Sequence, residues 1–257
     1  MINNLFKKTL LFFILLNLSH STFSQKPDSI KIVRHFDGTV TVTNKGISSI
    51  PNLTLGKPAA IIYLSVGNKF RFEPEFRLGL NGKPWMFIFW GRHDFLNTDK
   101  FFIKARTNVT VVFNTITVTT DNVPNEILRA SRTLTSDLVA NYKLTKNFSL
   151  GPYYMYIYGV EKYLTRNTHF IALRAGFSNI KLSDQFFMGF NPQVYFLKMD
   201  KDHGYYFNST LTLAKHNFPI SFSTLFSKTI HTEIALGEDI LWNVSLIYTF
   251  NNSYVKK

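Results

Sequence analysis

Apolar and polar residues alternate along most of this chain, most cleanly in residues 69–80, KFRFEPEFRLGL. Phe70, Phe72, Pro74, Phe76, Leu78 and Leu80 share one parity, and Lys69, Arg71, Glu73, Glu75, Arg77 and Gly79 share the other. Successive side chains of a β-strand point to opposite faces, so a strand here has one apolar and one mostly charged face. The pattern recurs in segments of about ten residues. Ile62, Leu64 and Val66 are in phase. Ile103, Ala105, Val109, Val111 and Phe113 oppose Lys104, Arg106, Asn108 and Thr110. Leu138, Ala140, Tyr142 and Leu144 oppose Asp137, Asn141 and Lys143, while Ile171, Leu173, Ala175 and Phe177 oppose Ala172, Arg174, Gly176 and Ser178. Residues 84–92, 148–160, 185–199, 205–214 and 220–229 follow in the same style, and Trp242, Val244, Leu246, Tyr248 and Phe250 close the series in phase.

Turn chemistry separates these segments. Gly67-Asn68, Asn81-Gly82-Lys83 and Thr145-Lys146-Asn147 each stand between two alternating runs, and Asn-Gly in that setting is a strong hairpin signal. Residues 57–250 hold eleven such segments. Bacterial single-chain barrels use even strand numbers, so residues 38–43, GTVTVT, supply a twelfth, with ten or fourteen strands as the alternatives. Residues 25–56 are polar and poor in aromatics and read as a periplasmic lead-in that contains this first strand. The connectors alternate between long (114–129, 161–167, 230–239) and short (145–147, 181–184, 215–219), the habit of an outer-membrane barrel. Trp85, Trp90, Tyr153, Tyr158, Tyr205 and Trp242 lie near strand ends, where interfacial aromatic girdles are expected.

The N-terminus carries Lys7 and Lys8, an apolar stretch at residues 10–18 (LLFFILLNL), and small residues Thr22 and Ser24 before Gln25. This is the layout of a secretory signal cleaved near Ser24–Gln25. The apolar stretch is well short of the roughly 20 residues that span a bilayer. There is no cysteine, which excludes a lipoprotein anchor, disulfides and thiol chemistry. Aromatics make up 16% of the chain, with 26 Phe, yet no apolar run after the signal exceeds six residues. The apolar residues therefore belong either to the core of a soluble β-rich periplasmic protein or to the lipid face of a barrel. The formal charge of +13 falls to +11 once Lys7 and Lys8 are removed with the signal. Such a balance favours anionic partners such as lipid headgroups, lipopolysaccharide phosphates or anionic solutes. Scattered basic residues in an exported chain do not suit nucleic acid.

The chain resembles Gram-negative outer-membrane β-barrels, and residues 242–250 (WNVSLIYTF) carry the likeness. With Trp242, Tyr248 and the terminal aromatic Phe250 they look like the closing strand that barrel-assembly machinery recognises. Here the chain runs on for seven residues, 251–257, where such proteins usually end. Gln25 after the cleavage site and the Lys/Phe/Asn-rich style look like exported proteins of the Bacteroidota. The resemblance implies an all-β, transmembrane, antiparallel up-and-down barrel of about twelve strands over residues 57–250, placed in the outer membrane.

Candidate chemistry lies on the lumen-facing parity: Arg71, Glu73, Glu75, Arg77, Lys104, Arg106, Asp137, Lys143 and Arg174. Cations outnumber anions among these, so one reading is a passive pore for small polar or anionic solutes. The other is a closed structural or surface-binding barrel whose salt bridges satisfy charge within a plugged interior. Glu73 and Glu75 share a face like a paired acid and base, but Arg71 and Arg77 flank them and favour two ionised carboxylates. His93, with Arg92 and Asp94, and the pair Asp202-His203 fall in or beside connectors. No HExxH, GxSxG or phosphate-binding glycine loop occurs, no His has Ser two residues on, and no spacing of metal ligands stands out. The expectation is a protein that is not an enzyme and uses neither cofactor nor metal.

Overall fold

A computed structural model describes residues 33–120, 123–235 and 238–255. The signal-like segment and its cleavage site lie outside them. Twelve strands form one closed, antiparallel sheet: β1 (Val33–Thr43), β2 (Ala59–Gly67), β3 (Phe70–Gly79), β4 (Pro84–Asn97), β5 (Phe101–Thr120), β6 (Val123–Lys143), β7 (Phe148–Gly159), β8 (Asn167–Lys181), β9 (Phe186–Met199), β10 (Asp202–Lys215), β11 (Ile220–Thr232) and β12 (Ile240–Val255). Each pairs with its neighbour in sequence, and β12 returns to β1. Closure leaves no sheet edge unpaired, the condition a spanning sheet must meet in lipid.

Every strand places exposed apolar side chains outside, among them Val40, Val66, Phe72, Phe89, Val109, Leu138, Leu150, Leu173, Val194, Leu211, Phe222 and Val244. A continuous apolar exterior of this extent suits lipid and not water. It removes the soluble reading, in which these residues pack into a core. Gly38 lets the seam close: a Cβ there would collide with the ring of Phe250 and the carbonyl of Tyr63.

The three longest connectors, residues 44–58, 160–166 and 233–239, gather at one end, and the other end has turns of two to four residues. Three departures from the sequence pattern stand out. Strand β1 begins at Val33 and pairs with β2 from His35 to Thr43, so residues 33–56 belong to the barrel itself. Most of residues 114–129 are strand, because β5 and β6 stay paired out to Thr120 and Val123 as a ribbon beyond their neighbours. The β-branched run Thr115-Ile-Thr-Val-Thr-Thr120 favours that extension. Lastly, β4 runs on to Asn97, placing Arg92, His93 and Asp94 within a strand rather than a connector.

The connector after β1 folds inward. Its 3-10 turn, Pro51–Leu53, follows Ile50, which is 4% exposed and packs with Tyr153, Ile157, Phe170, Tyr195, Leu197 and Tyr206 on the β7–β10 wall and with Ile234 of the connector after β11. Leu53 and Leu55 pack against the second cluster, around Trp85, Met86, Ile88 and Val112. Trp85 Nε1 donates to the Leu53 carbonyl at 2.9 Å. Residues 44–58 thus bridge the two inner walls at the long-connector end.

Candidate functional site

Parity places the charged residues inside. On β3, Arg71, Glu73, Glu75 and Arg77 share the lumen face, and register sets Arg71 opposite Arg92, and Glu73 opposite Trp90, of β4. On β5 and β6, Arg106 lies directly opposite Asp137.

These neighbours pair closely. Arg71 Nη1 donates to Asp37 Oδ2 on β1 at 2.7 Å, and Arg77 holds Glu75 through Nε. Glu73, 1% exposed, accepts from Arg92 Nη1 at 2.6 Å and from the Ser65 hydroxyl at 3.3 Å. Arg92 also donates to Asp94 Oδ2 at 3.3 Å. Arg106 Nε reaches both oxygens of Asp137, at 3.1 and 3.0 Å, and Arg106 stacks 4.3 Å from the Trp90 ring centroid. A bidentate guanidinium–carboxylate contact of this kind is among the stronger charged pairs.

The nine expected site residues therefore divide. Arg71, Glu73, Glu75, Arg77, Arg106 and Asp137 are joined to carboxylates or guanidiniums. Glu73 is not held by Arg71, as the sequence suggests, but by Arg92 across the strand. Lys104 and Arg174 form no ion pair among the described residues. Lys143 lies at the short-turn end of β6, exposed. Three partners were missed: Asp37, because it lies in the polar stretch that reads as a lead-in, and Arg92 and Asp94, because they read as lying in or beside a connector. The signal for the latter two was there: Trp90, Arg92 and Asp94 share the parity of Met86 and Ile88.

Three of the aromatics expected in the girdles turn inward instead. Trp85 is 3% exposed against the connector, Trp90 lies under Arg106, and Tyr153, 6% exposed, donates its hydroxyl to Asp137 Oδ2 at 3.0 Å. A bulge between Arg77 and Leu78 shifts the register at the start of β4, which is how Trp85 and Met86 both reach the interior. Tyr205 and Trp242 do face outward and are about half exposed. Phe250 sits at the seam, 5.4 Å from Phe36 ring to ring.

Inside the barrel, toward the short turns, is a cavity of about 390 Å³ lined by Lys104, Arg174, Asn141, Asn191, Gln193 and Asn208 among others, with no acidic residue in its wall. A second, of about 290 Å³, lies at the opposite end between the connector and β4–β6, with Lys57, Lys83 and Glu126 in its wall. No group of His, Asp or Glu side chains that could hold a metal ion occurs among the described residues.

No protein-family model matches the chain, and no curated protein matches it. Solved structures do. The KdgM porin, determined in complex with disordered oligogalacturonate, superposes with a TM-score of 0.52 at 8% identity, over 84% of this chain and 99% of that one. An outer membrane channel from Pseudomonas putida F1 superposes with a TM-score of 0.50 at 9% identity, over 88% and 100% of the two chains. At such identities the likeness is one of fold, and that fold is the outer-membrane barrel.

Proposed function

We propose that this chain is a passive pore of a Gram-negative outer membrane, admitting small polar or anionic solutes. The observation that carries the reading is the amide- and cation-lined cavity inside the barrel toward the short turns. A barrel filled only for stability has no need of polar space there, and twelve strands leave more lumen than eight, whose side chains nearly fill the interior. The KdgM porin, bound to oligogalacturonate, supports an anionic solute class through a shared fold alone.

In this reading the short-turn end faces the periplasm and the long connectors face outside. Outer-membrane lipid and lipopolysaccharide surround the apolar band. The signal is cleaved near Ser24–Gln25, and assembly machinery receives the chain through Trp242, Tyr248 and Phe250. The organism is of the Bacteroidota type, and the barrel has no catalytic role.

One observation favours the second reading, a closed barrel: residues 44–58 are packed against both inner walls. Planar-bilayer recording separates the two. Discrete conductance steps from the purified, heat-modifiable barrel establish the pore. No steps, even after residues 48–54 are replaced by a Gly/Ser linker, would leave the closed barrel as the answer.

A further inference from the structure

We infer that Lys104 and Arg174 form a subsite for a single carboxylate-bearing, hydroxylated solute. The excess of cations seen in the sequence does not act as one diffuse field, because the structure neutralises most of it. Arg71, Arg77, Arg92 and Arg106 each hold a carboxylate within ion-pair distance. Among the expected lumen cations this leaves Lys143, exposed at the short-turn end, and Lys104 and Arg174, from β5 and β8, which line one cavity whose wall holds no acid.

Arg174 is pre-positioned. Its Nε donates to Gln193 Oε1 at 3.0 Å, and its guanidinium carbon lies 4.1 Å from the centroid of the Tyr153 ring. Tyr153 is itself fixed through its hydroxyl to Asp137, which Arg106 grips from the next strand. The guanidinium plane is thus held by two contacts, while Nη1 and Nη2 have no acceptor among the described residues. Arg174 is exposed although Phe170 and Ala172 on the same face are 2% and 4% exposed. A planar fork with free N–H groups matches a carboxylate, and Lys104 supplies a second, compact charge. The four amides of Asn141, Asn191, Gln193 and Asn208 offer donors and acceptors suited to hydroxyl groups. The cavity volume fits a solute of monosaccharide size.

This subsite rests on the pore reading for how solute reaches it, but binding is an equilibrium property of the folded barrel and can be read without transport. The probes are glucuronate and its uncharged counterpart glucose. Isothermal titration of the detergent-solubilised wild-type barrel should show glucuronate binding and no glucose binding. Equal binding of the two, or none of either, overturns the subsite. K104Q and R174Q should each weaken glucuronate about tenfold or more, with R174K recovering less than full affinity because its ammonium lacks the fork. Unchanged affinity in both variants, with heat-modifiable migration intact, also overturns it. Conductance is recorded separately in a potassium chloride gradient. Binding without conductance would sink the pore and keep the subsite, and conductance without binding would do the reverse.

Discussion

The hydroxyl of Tyr153 donates to Asp137 Oδ2 over 3.0 Å while Arg106 grips both oxygens of that carboxylate. Three strands, β5, β6 and β7, thus meet on one fully buried anion. Asp137→Ala removes the anion and leaves the Arg106 guanidinium mostly buried beside Trp90. This should destabilise the barrel by about 3 kcal/mol, whereas Tyr153→Phe removes one neutral donor and should lower stability by about 1 kcal/mol. Urea unfolding in micelles, followed by tryptophan fluorescence with Trp90 as the nearby reporter, measures both. Equal losses would show that Tyr153, not the ion pair, organises this wall.

Ile50 holds the inward connector to the β7–β10 wall by burial alone. Ile50→Asp puts a charge against Phe170 and Leu197, which are 2% and 0% exposed. The connector should leave the lumen, single-channel conductance should rise, and local stability should fall by about 2 kcal/mol or more. A conductance equal to that of wild type would show that the connector does not constrict the path.

Gly38 and Phe250 face each other across the closing seam. Gly38→Val places two methyl groups where the Phe250 ring already sits, and overpacking of this kind costs about 1–3 kcal/mol. The fraction migrating as folded barrel without heating should fall, and Gly38→Val combined with Phe250→Ala should restore part of it. No recovery in the double variant would place the damage elsewhere.

Acid should loosen the long-connector end. Burial pushes the Glu161 carboxyl up, but hydrogen bonds from Arg132 Nε and the Arg132 amide outweigh it, and the group ends below its ordinary value. Asp200 at the β9–β10 turn follows the same course, with burial opposed by the amides of Arg166 and Asn167 at 2.9 and 2.8 Å. Groups depressed in the folded state stabilise it above their unfolded values, and that contribution is lost as pH falls through the folded values. The amide resonances of Arg132 and Asn167 should therefore shift with midpoints below the ordinary values of a glutamate and an aspartate respectively, and the Glu161→Gln and Asp200→Asn variants should abolish the two shifts. Midpoints at ordinary carboxylate values would refute the coupling.

The barrel was legible because its constraint is local. Lipid outside and polar residues inside force period two on every strand, so residues 69–80 and 242–250 announce themselves without any knowledge of their partners. The aromatic residues were harder to place. Trp85, Trp90 and Tyr153 each lie near apolar neighbours of the opposite parity, and a lumen aromatic looks like a girdle aromatic until a bulge or an opposing cation fixes its side. The pairing of charges was not legible, because Arg92 with Glu73 and Arg71 with Asp37 depend on register between strands. The inward packing of the connector after β1 was invisible for a different reason. Ile47-Ser-Ser-Ile-Pro51 is an ordinary polar loop by composition, and only the wall it meets makes Ile50 a core residue.

The connector after β1 is hung from the seam. Asn44 Oδ1 accepts from the amide of Val244, Asn243 Nδ2 donates to the Lys45 carbonyl, and Lys45 pairs with Glu238 at 2.7 Å. All three anchors belong to β12 or the residues just before it, some two hundred positions away along the chain. Until the last strand arrives, residues 44–58 have nothing to hold them at that side. Completion of the cylinder and anchoring of this connector at its mouth are therefore a single event, so a half-built barrel carries a loose connector.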